Sequence, residues 1–150
     1  MFAIRPYRQE DFPGIERVHD RARRVELRYA GLEDAFLPLC IAAEREDLFA
    51  YPGLFVAELS GEIVGFAACT QDELAWLYVD PAHFRKGIGR ALAGHVLQCF
   101  PGIRHVEVLS GNAPAQALYA RLGFSIVSTE CGRMPGNEAF SVRVNCMERC

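Results

Sequence analysis

The stretch ELAWLYVDPAHFRKGIGRALAGHVL, Glu73–Leu97, constrains this chain more than any other. An apolar run with strand character, Leu74–Val79, stops at Asp80-Pro81. A short basic segment, His83–Lys86, leads into Gly87-Ile88-Gly89. From there the apolar spacing turns helical, through Ile88, Ala91, Leu92, Val96 and Cys99. The pattern is a strand, a cationic glycine turn and a helix start. Backbone N–H groups at a helix N-terminus lack partners, the helix dipole adds positive charge, and glycines admit a close anion. Arg85, Lys86 and Arg90 surround that point. The residues therefore read as a phosphate-binding turn, with a plain tight turn as the alternative. The P-loop pattern GxxxxGK[ST] is absent, and GIGRAL lacks the third glycine of the dinucleotide fingerprint.

Several function classes fall away on composition. At 150 residues the chain is expected to be one domain, residues 1–150, with a single good core. Its net charge is −3 and no basic block lies outside the glycine turn, which argues against nucleic-acid binding. No run approaches the length of a membrane span, and MFAIRPYRQEDF has no signal-peptide core, so a cytoplasmic location is expected. The six cysteines form no CxxC pair and no histidine sits at metal spacing. They read as reduced, mostly buried small hydrophobes, and no metal site is expected.

The remaining chain organises around this centre. Phe2–Pro6 reads as a strand. Residues 12–28 read as an amphipathic helix, with Asp11 as N-cap and Pro13 in the first turn. Its arginines at 17, 21, 23, 24 and 28 read as a solvated face. Ala35–Phe49 reads as a second helical stretch. Leu54–Leu59 and Glu62–Thr70 form a hairpin about Ser60-Gly61. After the glycine-turn helix come a strand at Arg104–Leu109, a helix at Ala113–Leu122 and a strand at Phe124–Cys131. A loop at Gly132–Asn137 and a last strand at Ala139–Met147 complete the order. The crossover through the glycine-turn helix requires its two flanking strands to run parallel, while the hairpins are antiparallel. The fold class is α/β (α+β by some schemes), with a mixed, mostly antiparallel sheet flanked by helices.

Two segments belong together. One is Leu77-Tyr78-Val79-Asp80-Pro81 followed by Arg85-Lys86-Gly87-Ile88-Gly89-Arg90-Ala91-Leu92. The other, about 25 residues beyond the glycine turn, is Asn112-x-x-Ala115-x-x-Leu118-Tyr119-x-x-Leu122-Gly123-Phe124. With these motifs at this spacing, the sequence strongly resembles the GNAT superfamily of acyl-CoA-dependent N-acetyltransferases over nearly its whole length. The resemblance implies a central strand pair that splays apart, with the cofactor's pantetheine arm in the gap. It places Leu77, Tyr78 and Val79 along the arm, and the backbone of Arg85, Lys86, Gly87, Ile88, Gly89 and Arg90 around the pyrophosphate. Asn112 would contact the arm. Tyr119 would lie near the sulfur and protonate the leaving thiolate. Glu73 would serve as base, directly or through water. The family usually has Gln or Arg three residues before the first glycine; here that position is Phe84.

The implied activity moves an acetyl group from acetyl-CoA to a primary amine by direct attack in a ternary complex. The acceptor would be a small-molecule or peptide amine, bound by the Tyr29–Asp34 and Gly132–Asn137 loops, and the protein a monomer or homodimer. The alternative is a non-catalytic acyl-CoA-binding regulatory module. Read without the resemblance, Asn112 is also a helix cap, Tyr119 an amphipathic core residue and Glu73 a solvated strand start. His83 and His105 read as surface or loop residues, and His19 and His95 as structural. Trp76 and Tyr78 share one strand face, as core or as pocket wall.

Overall fold

The computed structural model describes residues 1–150. The strands are β1 (Phe2–Pro6), β2 (Gly53–Leu59), β3 (Glu62–Cys69), β4 (Leu74–Val79), β5 (His105–Leu109), β6 (Ser125–Met134) and β7 (Asn137–Glu148). The helices are α1 (Phe12–Tyr29), α2 (Leu39–Arg45), α3 (Ile88–Cys99) and α4 (Ala113–Arg121). None is long and apolar enough to cross a membrane.

Two antiparallel sheets carry the fold, one in the order β1-β2-β3-β4 and the other β5-β7-β6. The expected parallel pair of β4 and β5 shrinks to one bridge, Glu73 to His105. The N–H groups of Arg104 and His105 donate to the Asp72 carbonyl beside it, at 3.0 and 3.2 Å. Beyond the bridge the two strands form no ladder. The parting leaves one edge of β4 unpaired in the middle of the molecule.

Both faces of the four-stranded sheet are covered. Ile15 and Val18 of α1 and Leu39 of α2 pack with Phe66, Ala68 and Trp76 on one face. Ile88, Leu92 and Val96 of α3 pack with Val64, Ala67 and Cys69 on the other. This doubly buried β3 explains its run of apolar residues without polar alternation. Gly65 is required there. A Cβ on it would come within 2.9 Å of Leu92 Cδ1 and 3.0 Å of the Tyr78 carbonyl, so a side chain would push α3 off the sheet.

Three sequence expectations change. The helix expected over Ala35–Phe49 is only α2, flanked by single turns at Glu33–Ala35 and Leu48–Ala50. Pro38 stands at its N-cap in extended conformation and Asp47, at φ 54°, ends it. The expected Gly132–Asn137 loop is a two-residue turn, Pro135-Gly136, and β6 and β7 run up to it. Gly136 has φ 74°, which suits the third position of a type II turn after proline. The cysteines are all unpaired as expected, but only Cys69 and Cys146 are buried; Cys40, Cys99, Cys131 and Cys150 are exposed.

The arginine face of α1 is not merely solvated. Arg17 donates to the Ile63 carbonyl at 2.7 Å, and the Arg24 guanidinium lies 3.8 Å from the Phe36 ring centre. Arg21 reaches Asp80, which is 1% exposed, at 3.0 Å. Asp80 also accepts the Ala82 N–H and so caps the turn that follows β4. Asp80→Ala removes both contacts and is expected to lower stability by about 1–3 kcal/mol. A urea unfolding midpoint unchanged from wild type would contradict that role.

Candidate active site

The glycine turn is an array of unused donors. Gly87 forms the N-cap of α3 at φ 80° with no side chain to cap it, and Arg85 is also left-handed at φ 66°. No backbone N–H from Arg85 through Arg90 donates to any protein acceptor. A Cβ placed on Gly87 would meet nothing within 4 Å, so the space over these amides is open. Arg85, Lys86 and Arg90 are exposed around it, with Lys86 Nζ 3.2 Å from His83 Nδ1. The cradle suits a phosphate group through the backbone alone. Phe84 is 45% exposed and brings no charge.

The free edge of β4 begins beside this cradle. The Asp80 N–H donates to the Val64 carbonyl of β3 at 2.9 Å. Strand alternation then turns the main-chain groups of Tyr78 toward β3 and those of Leu77 and Val79 toward the gap. The expected trio therefore divides. Leu77 and Val79 offer main-chain groups to the gap. Tyr78 instead points its ring to the other side, where its hydroxyl donates to Glu26 Oε1 at 2.9 Å.

Asn112 and Tyr119 sit across the gap on α4. The Asn112 side-chain oxygen caps α4 by accepting the Ala115 N–H at 3.3 Å, while its amide NH₂ donates to nothing in the protein. Capping and ligand contact are thus compatible. The Tyr119 ring is 7% exposed and meets Phe124 edge-on at 5.9 Å. Its hydroxyl makes no hydrogen bond, yet every enclosed side-chain oxygen and nitrogen has a partner, so the hydroxyl touches open space. Burial, then the charge of Glu26, push its pKa up, so it is a phenol at neutral pH.

On the other face of β4 lies a cleft of about 360 Å³. Trp76 and Tyr78 form its floor, so they serve as core and pocket wall together. His19, Arg23 and Glu26 of α1 form one side, and Met134, Pro135 and Asn137 of the β6–β7 hairpin another. Glu73 and Glu107 lie at the bridge between the sheets. Met134, Pro135 and Asn137 fall within the Gly132–Asn137 stretch expected as a loop. Exposed Glu33 and Asp34 of the other expected loop do not line the cleft, because the partner surface is a face of α1.

The electrostatics of the cleft were not legible from sequence. Arg23 donates to Glu26 Oε1 at 2.6 Å, and both charges are largely buried. Glu46 follows α2, and burial pushes its carboxyl up to about 7 against the lowering effect of Arg23. Glu73 is also raised, by burial and then by the nearby Glu107 carboxylate. His105, read from sequence as a surface or loop residue, opens β5 with Nε2 at 3.2 Å from Glu107 and 3.9 Å from Glu73. His19 is 2% exposed and held neutral by burial. Its Nδ1 lies 2.9 Å from Asp20 Oδ1, which also accepts the Leu39 N–H at 2.8 Å.

The acetyltransferase (GNAT) domain family matches residues 51–126, which takes in β2 through the start of β6 and so the whole cradle and gap. The chain belongs to this family. Among relatives of this GNAT protein, the peptidyl-lysine N-acetyltransferase YiaC of Escherichia coli is 36% identical over 89 residues, covering 59% of this chain and 60% of that protein. The matched stretch thus spans less than two thirds of that relative. Two solved structures share the fold over nearly the full length. The ribosomal-protein-S18-alanine N-acetyltransferase of Escherichia coli has a TM-score of 0.69 at 23% identity, covering 99% of this chain and 93% of its own. The Salmonella typhimurium protein yncA, described with its cofactor acetyl-CoA, has a TM-score of 0.67 at 20% identity, covering 99% and 92%.

The Glu46 environment gives a pH signature. Its folded-state pKa of about 7 lies above the ordinary carboxylate range, so the folded chain holds a proton that the unfolded chain has lost. Stability contributed by this group therefore falls as pH rises from that range through about 7. Glu46→Gln is expected to flatten this fall, seen as a smaller difference between urea midpoints at about pH 5 and about pH 8. An unchanged difference would contradict the assignment.

Proposed function

We propose that this GNAT protein transfers an acetyl group from acetyl-CoA to a primary amine, by direct attack of the amine with both partners bound. The observation that carries the reading is the run of unpaired N–H groups from Arg85 to Arg90, continuous with the unpaired edge of β4. The likeness to yncA, described with acetyl-CoA, supports the choice of ligand. The relatives named for peptidyl-lysine and for the alanine of ribosomal protein S18 support an amine acceptor.

Acetyl-CoA, when bound, supplies an acetyl group activated as a thioester. The amides of Arg85–Arg90 hold its pyrophosphate, with exposed Arg85, Lys86 and Arg90 adding charge in place of a side chain at Phe84. Main-chain groups of Leu77 and Val79 and the free amide of Asn112 hold its arm. A Val79 N–H facing the gap stabilises negative charge on the acetyl oxygen. As the C–N bond forms and the C–S bond breaks, Glu73 takes the proton of the attacking amine, directly or through water. Its raised pKa makes it a stronger base than an ordinary carboxylate. Tyr119 gives its hydroxyl proton to the departing sulfur and recovers one from solvent. No covalent bond to the protein is needed.

Tyr119→Phe is expected to lower turnover by more than about tenfold while coenzyme A affinity stays nearly intact, the signature of a group acting in the transition state. Free-thiol release measures the first and calorimetry the second. Unchanged turnover with the best acceptor would remove Tyr119 from this role.

Gly87→Asn and Gly89→Val should each weaken coenzyme A binding by filling the cradle. Asparagine tolerates the left-handed backbone at Gly87. A Cβ at Gly89 makes only ordinary contacts, 3.5 Å to Val79 and 3.6 Å to Leu118. Normal affinity in both variants would contradict the anchor. Tight coenzyme A binding by wild type with no thiol release across a broad amine panel would instead favour the regulatory module.

A further inference from the structure

The cleft beside β4 is lopsided in its charged groups. Several of its donors are used internally. Arg23 donates to Glu26 and to the Met134 sulfur, and the Tyr78 hydroxyl donates to Glu26. The Asn137 amide NH₂ donates to the Ala35 carbonyl at 2.9 Å, which leaves its side-chain oxygen free. The Trp76 indole N–H and the Tyr51 hydroxyl are left over as donors; the other groups left over are acceptors, and these carry the charge.

His19 is the most telling of them. Asp20 accepts from Nδ1 at 2.9 Å, and the Leu39 N–H fixes that carboxylate, so the ring proton sits on Nδ1 and Nε2 keeps a lone pair. Nε2 has no partner in the protein, and no enclosed side-chain nitrogen lacks one. It therefore meets the open space that the ring lines, which is the cleft. The ring is clamped against Tyr78 and Trp76, with centres at 5.2 and 5.9 Å. A residue 2% exposed with its lone pair aimed into a cavity asks the occupant for a donor.

Charge points the same way. The Arg23–Glu26 pair neutralises itself. The Glu46 carboxyl makes no hydrogen bond and adds charge on the α2 side, while Glu73 and Glu107 add two carboxyls at the bridge. His105 shares the latter two. Glu46, Tyr51 and Glu73 all line this one cavity, so the two carboxyl poles belong together. An occupant with several N–H donors and positive charge at both ends fits this lining. A carboxylate would face like charge at both poles.

We propose that the acceptor substrate is a small aliphatic di- or polyamine, its reacting amine at the Glu73 end and a second ammonium held by Glu46 and His19 Nε2. This rests on the acetyl-transfer reading above and narrows its acceptor. The amine that reacts is the one nearer the sheet gap. The remote ammonium contributes binding and selects against monoamines and amino acids.

The test uses the intact protein, acetyl-CoA and three acceptors of one chain length: putrescine, n-butylamine and γ-aminobutyrate. Thiol release is expected to give putrescine a kcat/KM about tenfold or more above butylamine, equivalent to about 1.4 kcal/mol, with γ-aminobutyrate lowest. Glu46→Gln should erase most of the putrescine advantage through KM, bringing the putrescine-to-butylamine ratio of kcat/KM toward one. Glu46 is half-buried at the surface end of α2, so this variant tests the pole without opening the core. Butylamine or γ-aminobutyrate matching putrescine would overturn the diamine assignment. So would turnover confined to other amines, such as a peptide lysine, and in both cases acetyl transfer would stand. Wild-type protein that releases no thiol with any amine would overturn acetyl transfer itself, and the acceptor with it.

Discussion

A single backbone bridge, Glu73 to His105, decides the shape of everything that matters here. Paired further, β4 and β5 would close one continuous sheet and leave no site. Parted at once, the two sheets would have no fixed relation. One bridge, backed by two N–H donors to the Asp72 carbonyl, pins the strands at one end and lets them diverge at the other. The divergence exposes main-chain groups of Leu77 and Val79 that any ordinary sheet would pair. An extended molecule with its own amide groups satisfies them, as an added strand would.

The same parting separates two electrostatic regions. At the wide end, uncapped amides and three exposed cations favour an anion. On the opposite face, carboxyls that are half-buried or exposed and a neutral histidine favour a cation. β4 runs between them, with Trp76 and Tyr78 facing one region while main-chain groups of Leu77 and Val79 face the gap. A strand whose side chains line one ligand's cleft and whose backbone faces another ligand's groove brings both to its edge. Tyr119 has a free hydroxyl, and burial and then Glu26 push its pKa up.

Much of this was legible in the residues. The glycine turn, the crossover helix and the Asn112–Phe124 segment are local patterns, and local chemistry forms them. Gly87 at φ 80° and Asn112 at the α4 cap adopt the conformations their types favour. What escaped depends on packing between distant segments. Pro38 cuts a helix that apolar spacing alone would continue. Arg21 reads as solvated until β4 brings Asp80 to it. His19 carries no motif, and its role follows from Asp20 beside it and from Trp76 and Tyr78 beneath it. The carboxyls of Glu46, Glu73 and Glu107 lie far apart in the chain, so no spacing rule joins them. The division of Tyr78 from Leu77 and Val79 was available from strand alternation once the paired edge of β4 was known.

The central claim is that backbone N–H groups, more than side chains, receive the coenzyme. Amide chemical shifts followed by NMR during titration with coenzyme A read it residue by residue. The account expects the largest shifts at Arg85 through Arg90, with a second set at Leu77 and Val79, and little change along β6 and β7 away from the gap. Saturable binding that leaves the Arg85–Arg90 amides unmoved would contradict it.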